Sequence, residues 1–117
     1  MSQYKSRFCP SPTGLLHLGN LRTALLNVLL ALQTNGTFLL RIEDTDQERS
    51  EKKYADAVCE DLKWMNLNWQ EGPEVGGEQD SYFQSERNDI YVLFYEKLLE
   101  QDLIYPCFMT EQELKTI

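Results

Sequence analysis

The chain has 117 residues and carries 11 Lys and Arg against 19 Asp and Glu, a net charge of −8. That length accommodates one domain or less. The acidic total argues against broad nonspecific nucleic-acid binding, whose affinity comes from neutralising phosphates. Asn27, Gln33 and Arg41 interrupt the longest apolar stretches, and residues 1–7 lack the apolar core of a secretory signal, so neither a membrane span nor a leader is read here. Cys9, Cys59 and Cys107 are odd in number and widely spaced, which fits reduced thiols of a cytoplasmic protein better than a disulfide framework. Charge is unevenly placed: residues 1–42 hold Lys5, Arg7, Arg22 and Arg41 and no acid, while all 19 acids follow. The split allows a positive pocket near the N-terminus for an anionic ligand, although four basic residues also suit an ordinary solvated surface.

In chain order, residues 5–9 form a weak strand pattern, and Pro10 and Pro12 then exclude regular structure. Residues 18–34 are rich in Leu and Ala and almost free of charge, and their length predicts a buried helix. Asn35-Gly36 supplies its stop. Residues 37–43 read as a strand buried on both faces, as parallel strands are. Strand, helix and strand together make a βαβ unit with a right-handed crossover. Ser50 is the expected cap of a helix reaching about residue 65, with Tyr54, Val58, Leu62 and Met65 on one face.

Residues 67–69 fit a short strand, and the Gly-, Pro- and acid-rich residues 71–81 a loop. A helix is expected over 85–101 with an Ile90, Leu93, Phe94 and Leu98 stripe, then a strand over 103–109. Thr110 to Glu113 has the spacing of a capping box. Trp64, Trp69, Tyr54 and Phe94 are expected to be core aromatics. So few strands and covering helices would leave much apolar surface bare, as in the first part of a larger protein.

The chemistry concentrates at the entrance of the first helix. Ser11-Pro12-Thr13-Gly14 forms a turn, followed by His17 and Gly19. Unpaired backbone N–H groups and the positive end of the helix dipole attract phosphate there. Gly19 removes a side chain where backbone approaches a base or phosphate, and His17 can hydrogen-bond phosphate oxygens. Taken alone, a His-x-Gly is more often a helix-capping or surface histidine. Neither the G-x-G-x-x-G of dinucleotide folds nor a P-loop is present. Ligands of open parallel sheets bind at the carboxyl ends of strands, so Arg7 and Glu43 are expected to border one crevice. There they could clamp a carboxylate and an ammonium, as an amino-acid zwitterion requires. Glu43, Asp44 and Asp46 can also be read as loop acids or caps of the next helix, and although their clustering suggests a metal site, Thr45 interrupts them and the twelve-residue calcium-loop pattern is absent. With one histidine, no Ser–His–Asp arrangement is arguable.

Arg7-Phe8-Cys9-Pro10-Ser11-Pro12-Thr13-Gly14, His17-Leu18-Gly19-Asn20, Arg41-Ile42-Glu43-Asp44-Thr45-Asp46 with Glu48-Arg49, Glu71-Gly72-Pro73 and Gln84-Ser85-Glu86-Arg87 together resemble bacterial-type glutamyl-tRNA synthetases, which are class I aminoacyl-tRNA synthetases. The resemblance covers essentially the whole chain. Its His-x-Gly segment departs from the family's His-Ile-Gly-His at Leu18 and Asn20. Glutaminyl and archaeal-type relatives tend to carry Phe-Asp-Asp-Thr-Asn where this chain has Ile42 to Asp46.

The resemblance implies an α/β fold, the first half of a Rossmann-like parallel sheet with flanking helices. Residues 1–104 would belong to the catalytic domain and 105–117 would begin a tRNA acceptor-binding insertion. It implies ATP-dependent ligation of L-glutamate to tRNA(Glu) through glutamyl-adenylate, as part of a longer chain, by a cytoplasmic protein expected to be a monomer without membrane partners. Activation in this family typically needs bound tRNA. By position, Arg7, Ser11 and Glu43 would hold glutamate. Pro12, Thr13, Gly14, His17, Gly19 and Asn20 would hold ATP with its Mg2+, His17 being catalytic, and Asp44 and Arg49 would meet the tRNA end.

Many relatives carry a Cys-x-Cys zinc motif where this chain has Cys107-Phe108-Met109, so no zinc is expected. The family's second signature, Lys-Met-Ser-Lys-like, is absent from the sequence, so these 117 residues alone are expected not to aminoacylate. Two alternatives stand beside this reading. One is a glutamyl-queuosine synthetase paralogue, against which Thr45 and Gln47 argue. The other is a noncatalytic nucleotide-binding module.

Overall fold

The computed structural model describes residues 4–46, 48–79 and 81–116. Gln47 in the acidic segment and Asp80 in the 71–81 loop therefore lie outside the described residues. The chain divides into two compact units, Met1–Arg87 and Asn88–Ile117.

In the first unit, β1 (Lys5–Phe8) and β2 (Thr37–Leu40) pair in parallel, Lys5 opposite Thr37 and Phe8 opposite Leu40. Helix α1 (Leu18–Gln33) is the crossover between them. β1 alternates, with Ser6 and Phe8 buried and Lys5 and Arg7 exposed. Ser6 meets the cost of a buried hydroxyl by donating to the Asn27 carbonyl at 2.8 Å. Pro10 has no N–H to return to the neighbouring strand, so regular pairing stops early. β2 accordingly ends at Leu40 rather than at 43. The bonds nevertheless continue in one direction: Arg41 N–H donates to the Phe8 carbonyl at 3.0 Å and Glu43 N–H to the Pro10 carbonyl at 2.9 Å.

On its other flank β2 does not meet the strand expected at 67–69. Asn66 takes a left-handed φ of 57° after the second helix, and the chain reaches β2 at Gln70, whose N–H donates to the Phe38 carbonyl at 3.0 Å, and at Glu71, which bridges Leu39. Leu67 and Trp69 are buried without being strand, Trp69 donating from Nε1 to the Pro73 carbonyl at 2.9 Å. Further on, Phe83 bridges Ile42 in parallel.

Helix α1 stops where the sequence predicts, but the left-handed residue is Asn35, with φ 49°. Gly36 has a different reason to be glycine: a Cβ there would overlap the Tyr4 carbonyl oxygen. The buried α1 residues are Ala24 and Ala31, one above the other at i and i+7. Leu25, Leu26, Leu29, Leu30 and Leu32 are exposed, so the helix expected to be buried is present but buried along one stripe only. Small residues let α1 lie close to the strands, Leu21 and Val28 pack partly against the core, and the exposed leucines face away from it.

Helix α2 (Lys52–Trp64) buries Ala55, Val58, Cys59 and Leu62. The buried face thus turns away from Tyr54 and Met65 toward Ala55 and Cys59. Its N-cap is Glu51, which makes no side-chain cap bond, and not Ser50, whose hydroxyl is buried without a partner among the described residues. Trp64 is 81% exposed and Phe94 also lies in solvent, whereas Trp69 is core. Burial pushes the Cys59 thiol up to about 11, the main cause being desolvation.

The second unit contains α3 (Asn88–Glu100) and α4 (Glu111–Leu114). The helix expected from Ser85 begins instead as a 3-10 turn, Gln84–Arg87, with α3 starting at Asn88. No residue of α3 is buried, including Ile90, Leu93 and Phe94. Residues 103–109 form no strand: they are exposed, and Pro106 has no N–H to offer a neighbour. The capping box at α4 is formed, Glu113 N–H donating to Thr110 Oγ1 while Thr110 N–H donates to Glu113 Oε2.

The first unit's core joins Phe38, 1% exposed, to Leu40, Ile42, Val58 and Leu62. Phe38→Ala is expected to cost about 3–5 kcal/mol by the cavity it leaves. Trp64→Ala is expected to stay within about 0.5 kcal/mol of the parent. Urea unfolding of both variants checks the pair.

A polar cleft at the mouth of the first helix

The turn after β1 and the first turn of α1 border a cleft of about 400 Å³, lined by the polar Ser11, Thr13, His17 and Asn20 and by Gly14, with Phe8, Cys9, Pro10, Leu15 and Leu16 making up its apolar part. Two backbone decisions shape it. Thr13 N–H donates to the Ser11 carbonyl at 2.9 Å, folding the Pro-Thr-Gly segment back on itself. His17, extended at φ −110° and ψ 168°, is the N-cap of α1. Its Nδ1 accepts from Gly19 N–H at 3.1 Å, and its own N–H donates to Asn20 Oδ1 at 3.3 Å. This reciprocal pair is a capping box built from His and Asn instead of Ser and Glu. The helix-capping role that sequence alone offers for His17 is therefore realised, and it leaves Nε2 exposed beside the cleft.

Gly19 does not line the cleft. A Cβ at residue 19 would stand 2.9 Å from His17 Cε1, so glycine here makes room for the imidazole. Pro12 is fully buried and borders a second cavity of about 570 Å³, with Asp44, Ser50, Glu51, Ser85 and Glu86.

Arg7 and Glu43 line neither cavity. Arg7 is on the exposed face of β1 and makes no salt bridge to any described residue. Glu43 pairs with Arg41, whose guanidinium reaches Oε1 at 2.5 Å. Sequence reasoning passed over Arg41, although residues i and i+2 of an extended segment share a face. The strand tips still converge at the backbone, because Glu43 N–H is bonded to the carbonyl of Pro10, which also lines the cleft.

Asp44 takes the capping option, but toward a distant segment. Its carboxylate accepts from Ser85 N–H at 2.9 Å and from Ser85 Oγ at 2.7 Å, fixing the 3-10 turn to the end of β2. Arg49 is tied to Asp46, Nε donating to Oδ2 at 2.6 Å. Among the described residues no group of three His, Cys, Asp or Glu side chains is placed to hold a metal ion, and no helix is long and apolar enough to cross a membrane.

A parallel strand pair joined by a crossover helix is a βαβ unit of the α/β class, and the cleft lies at the carboxyl ends of its strands, where open parallel sheets take their ligands. The sequence matches, over residues 3–117, the family described as tRNA synthetases class I (E and Q), catalytic domain, and the chain belongs to that family. It is 57% identical over 113 residues to "Glutamate--tRNA ligase 2" of Nitrosococcus oceani, covering 97% of this chain and 24% of the relative. To "Glutamate--tRNA ligase" of Sulfurihydrogenibium sp. it is 56% identical over 109 residues, covering 93% and 23%.

Two solved structures share the fold. A glutamate tRNA ligase from Elizabethkingia meningosepticum in complex with its amino acid superposes with a TM-score of 0.90 at 43% identity, covering 98% of this chain and 23% of that one. The synthetase from Elizabethkingia anophelis gives 0.92 at the same identity and coverage. The chain thus spans about a quarter of the length of the relatives it matches.

Its hydrogen bond from the Arg49 guanidinium holds the Asp46 carboxyl below the usual carboxylate range. The folded state therefore keeps Asp46 ionised to lower pH than the unfolded state does. Any stability this pair adds is present above about pH 3.9 and is lost as pH falls through the lowered value. Arg49→Ala is expected to move the Asp46 titration upward, read by carboxyl 13C chemical shift, because the guanidinium hydrogen bond is the largest cause of the lowering.

Proposed function

We propose that these residues serve, within a longer chain, as part of the catalytic domain of a glutamate–tRNA ligase. The observation that carries the reading is the cleft at the α1 N-terminus, where the His17 side chain caps the helix and leaves Nε2 open. In the proposed reaction an oxygen of the glutamate α-carboxylate attacks the ATP α-phosphorus. The bond to the bridging oxygen breaks and pyrophosphate leaves. A hydroxyl of the terminal tRNA ribose then attacks the glutamyl carbonyl, releasing AMP.

In this reading Pro12, Thr13, Gly14, His17, Gly19 and Asn20 form the ATP side, His17 donating to phosphate oxygens as charge develops. Pro12 and Gly19 contribute shape, Pro12 as a buried turn residue and Gly19 as the floor beneath the imidazole. Mg2+ would enter with the ATP phosphates. Arg7, Ser11 and Glu43 form the glutamate side. An unpaired Arg7 suits a carboxylate, and Glu43 Oε2, free of any described partner, suits an ammonium while Oε1 accepts from Arg41. Asp44 and Arg49 are assigned to the tRNA end. For Asp44 the support is indirect, since its carboxylate is committed to Ser85 and would act by holding the loop. Residues 1–104 would fall in the catalytic domain and 105–117 in an acceptor-binding insertion.

In a full-length chain carrying these residues, His17→Ala is expected to slow glutamate-dependent ATP–pyrophosphate exchange by about a hundredfold or more. Arg7→Ala is expected to raise the glutamate KM by about thirtyfold or more, from roughly 2–5 kcal/mol of lost charge pairing. An unchanged exchange rate in His17→Ala removes His17 from the mechanism. The 117-residue chain alone is expected to form no glutamyl-tRNA; product from the purified chain contradicts the assignment of an essential second signature outside it.

A further inference from the structure

His17 is held at two points, and together they fix more than its position. Nδ1 accepts from Gly19 N–H at 3.1 Å. An imidazole nitrogen that accepts a hydrogen bond carries no proton, so the ring's proton is on Nε2. A Cβ on residue 19 would stand 2.9 Å from Cε1 and 3.0 Å from Nδ1, so glycine leaves the imidazole room to keep Nδ1 on the Gly19 N–H, and turning the ring over would put Cδ2 there and lose that bond. The second point is the backbone. His17 N–H donates to Asn20 at 3.3 Å, which requires the carboxamide to turn its oxygen inward and leaves Nδ2 facing away.

We infer that Gly19 and Asn20 are positioning residues that lock His17 as its Nε2–H tautomer, so that Nε2 is presented as a ready hydrogen-bond donor. The inference rests on, and deepens, the reading of this cleft as a phosphate site. An Nε2–H donor is what an anionic oxygen needs, and an Nδ1–H tautomer would offer that oxygen a lone pair instead. A donor oriented before the ligand arrives loses nothing to reorganisation as charge develops. The same lock explains a His-x-Gly-Asn order at this helix entrance: the first residue caps, the second makes space, and the third closes the box.

His17 is the single histidine of the chain, so a two-bond 1H–15N spectrum of the 15N-labelled 117-residue protein contains one imidazole. At pH 8 the expected pattern is a fully separated pair, with Nε2 of the protonated type and Nδ1 of the bare type. Averaged shifts, which a freely exchanging ring gives, overturn the inference, and so does the reversed pair. In Gly19→Ala the separation is expected to shrink, and Asn20→Asp, which keeps the acceptor oxygen, is expected to preserve it. Should Gly19→Ala fail to fold, the parent spectrum and Asn20→Asp still decide. Added ATP is expected to move Nε2 more than Nδ1. A separated pair that ATP leaves unmoved upholds the tautomer lock and counts against the phosphate reading, which keeps the two failures distinct.

Discussion

The parallel pairing of β1 with β2 is the constraint from which the site follows. Two adjacent parallel strands require a crossover, and the crossover here is α1. Its N-terminus then opens where the strands end, and the two strand tips are joined by the Glu43–Pro10 bond. The pairing in turn requires Gly36, since no side chain fits beside the Tyr4 carbonyl where the chain enters β2. It also requires the hydroxyl of Ser6 to find the Asn27 carbonyl inside α1. Those contacts fasten the helix to the strand that precedes it and so determine where His17 stands.

What the helix entrance offers a ligand is polar and largely predetermined. Backbone N–H groups of the first turn are unpaired by geometry, yet His17 and Asn20 use part of that capacity to order themselves. The cleft therefore combines an attractive end of a helix with a side chain held in one orientation. Around it, charge is handled by local pairs: Arg41 with Glu43 and Arg49 with Asp46. The acidic character of the chain as a whole is thus kept away from the cleft lining, which contains no carboxylate.

Much of this was legible in the sequence, and the failures have a common cause. The βαβ unit, the Asn-Gly stop and the Thr110 capping box follow from local rules of turn chemistry and period, and they are present. The capping alternative for His17 was legible too, because a polar residue preceding an apolar run is a local signal. The misplaced features depend on what lies opposite. Leu67 and Trp69 look like strand, but Asn66 reverses the chain before they can pair. Leu25, Leu26 and Leu29 look like core, but the strands are met by Ala24 and Ala31. Ser50 looks like a cap, yet the extended Glu51 takes that place. The Asp44–Ser85 tie spans 41 residues, and no local pattern encodes a partner at that separation.

The mouth of α1 is the proposed site of a nucleotide triphosphate. Backbone amide shift mapping of the 117-residue chain titrated with ATP tests this most directly. The expected result is a contiguous set of perturbed amides over residues 11–23, with α3 and α4 unmoved. Perturbations centred on α3, or none at millimolar ATP, would contradict it.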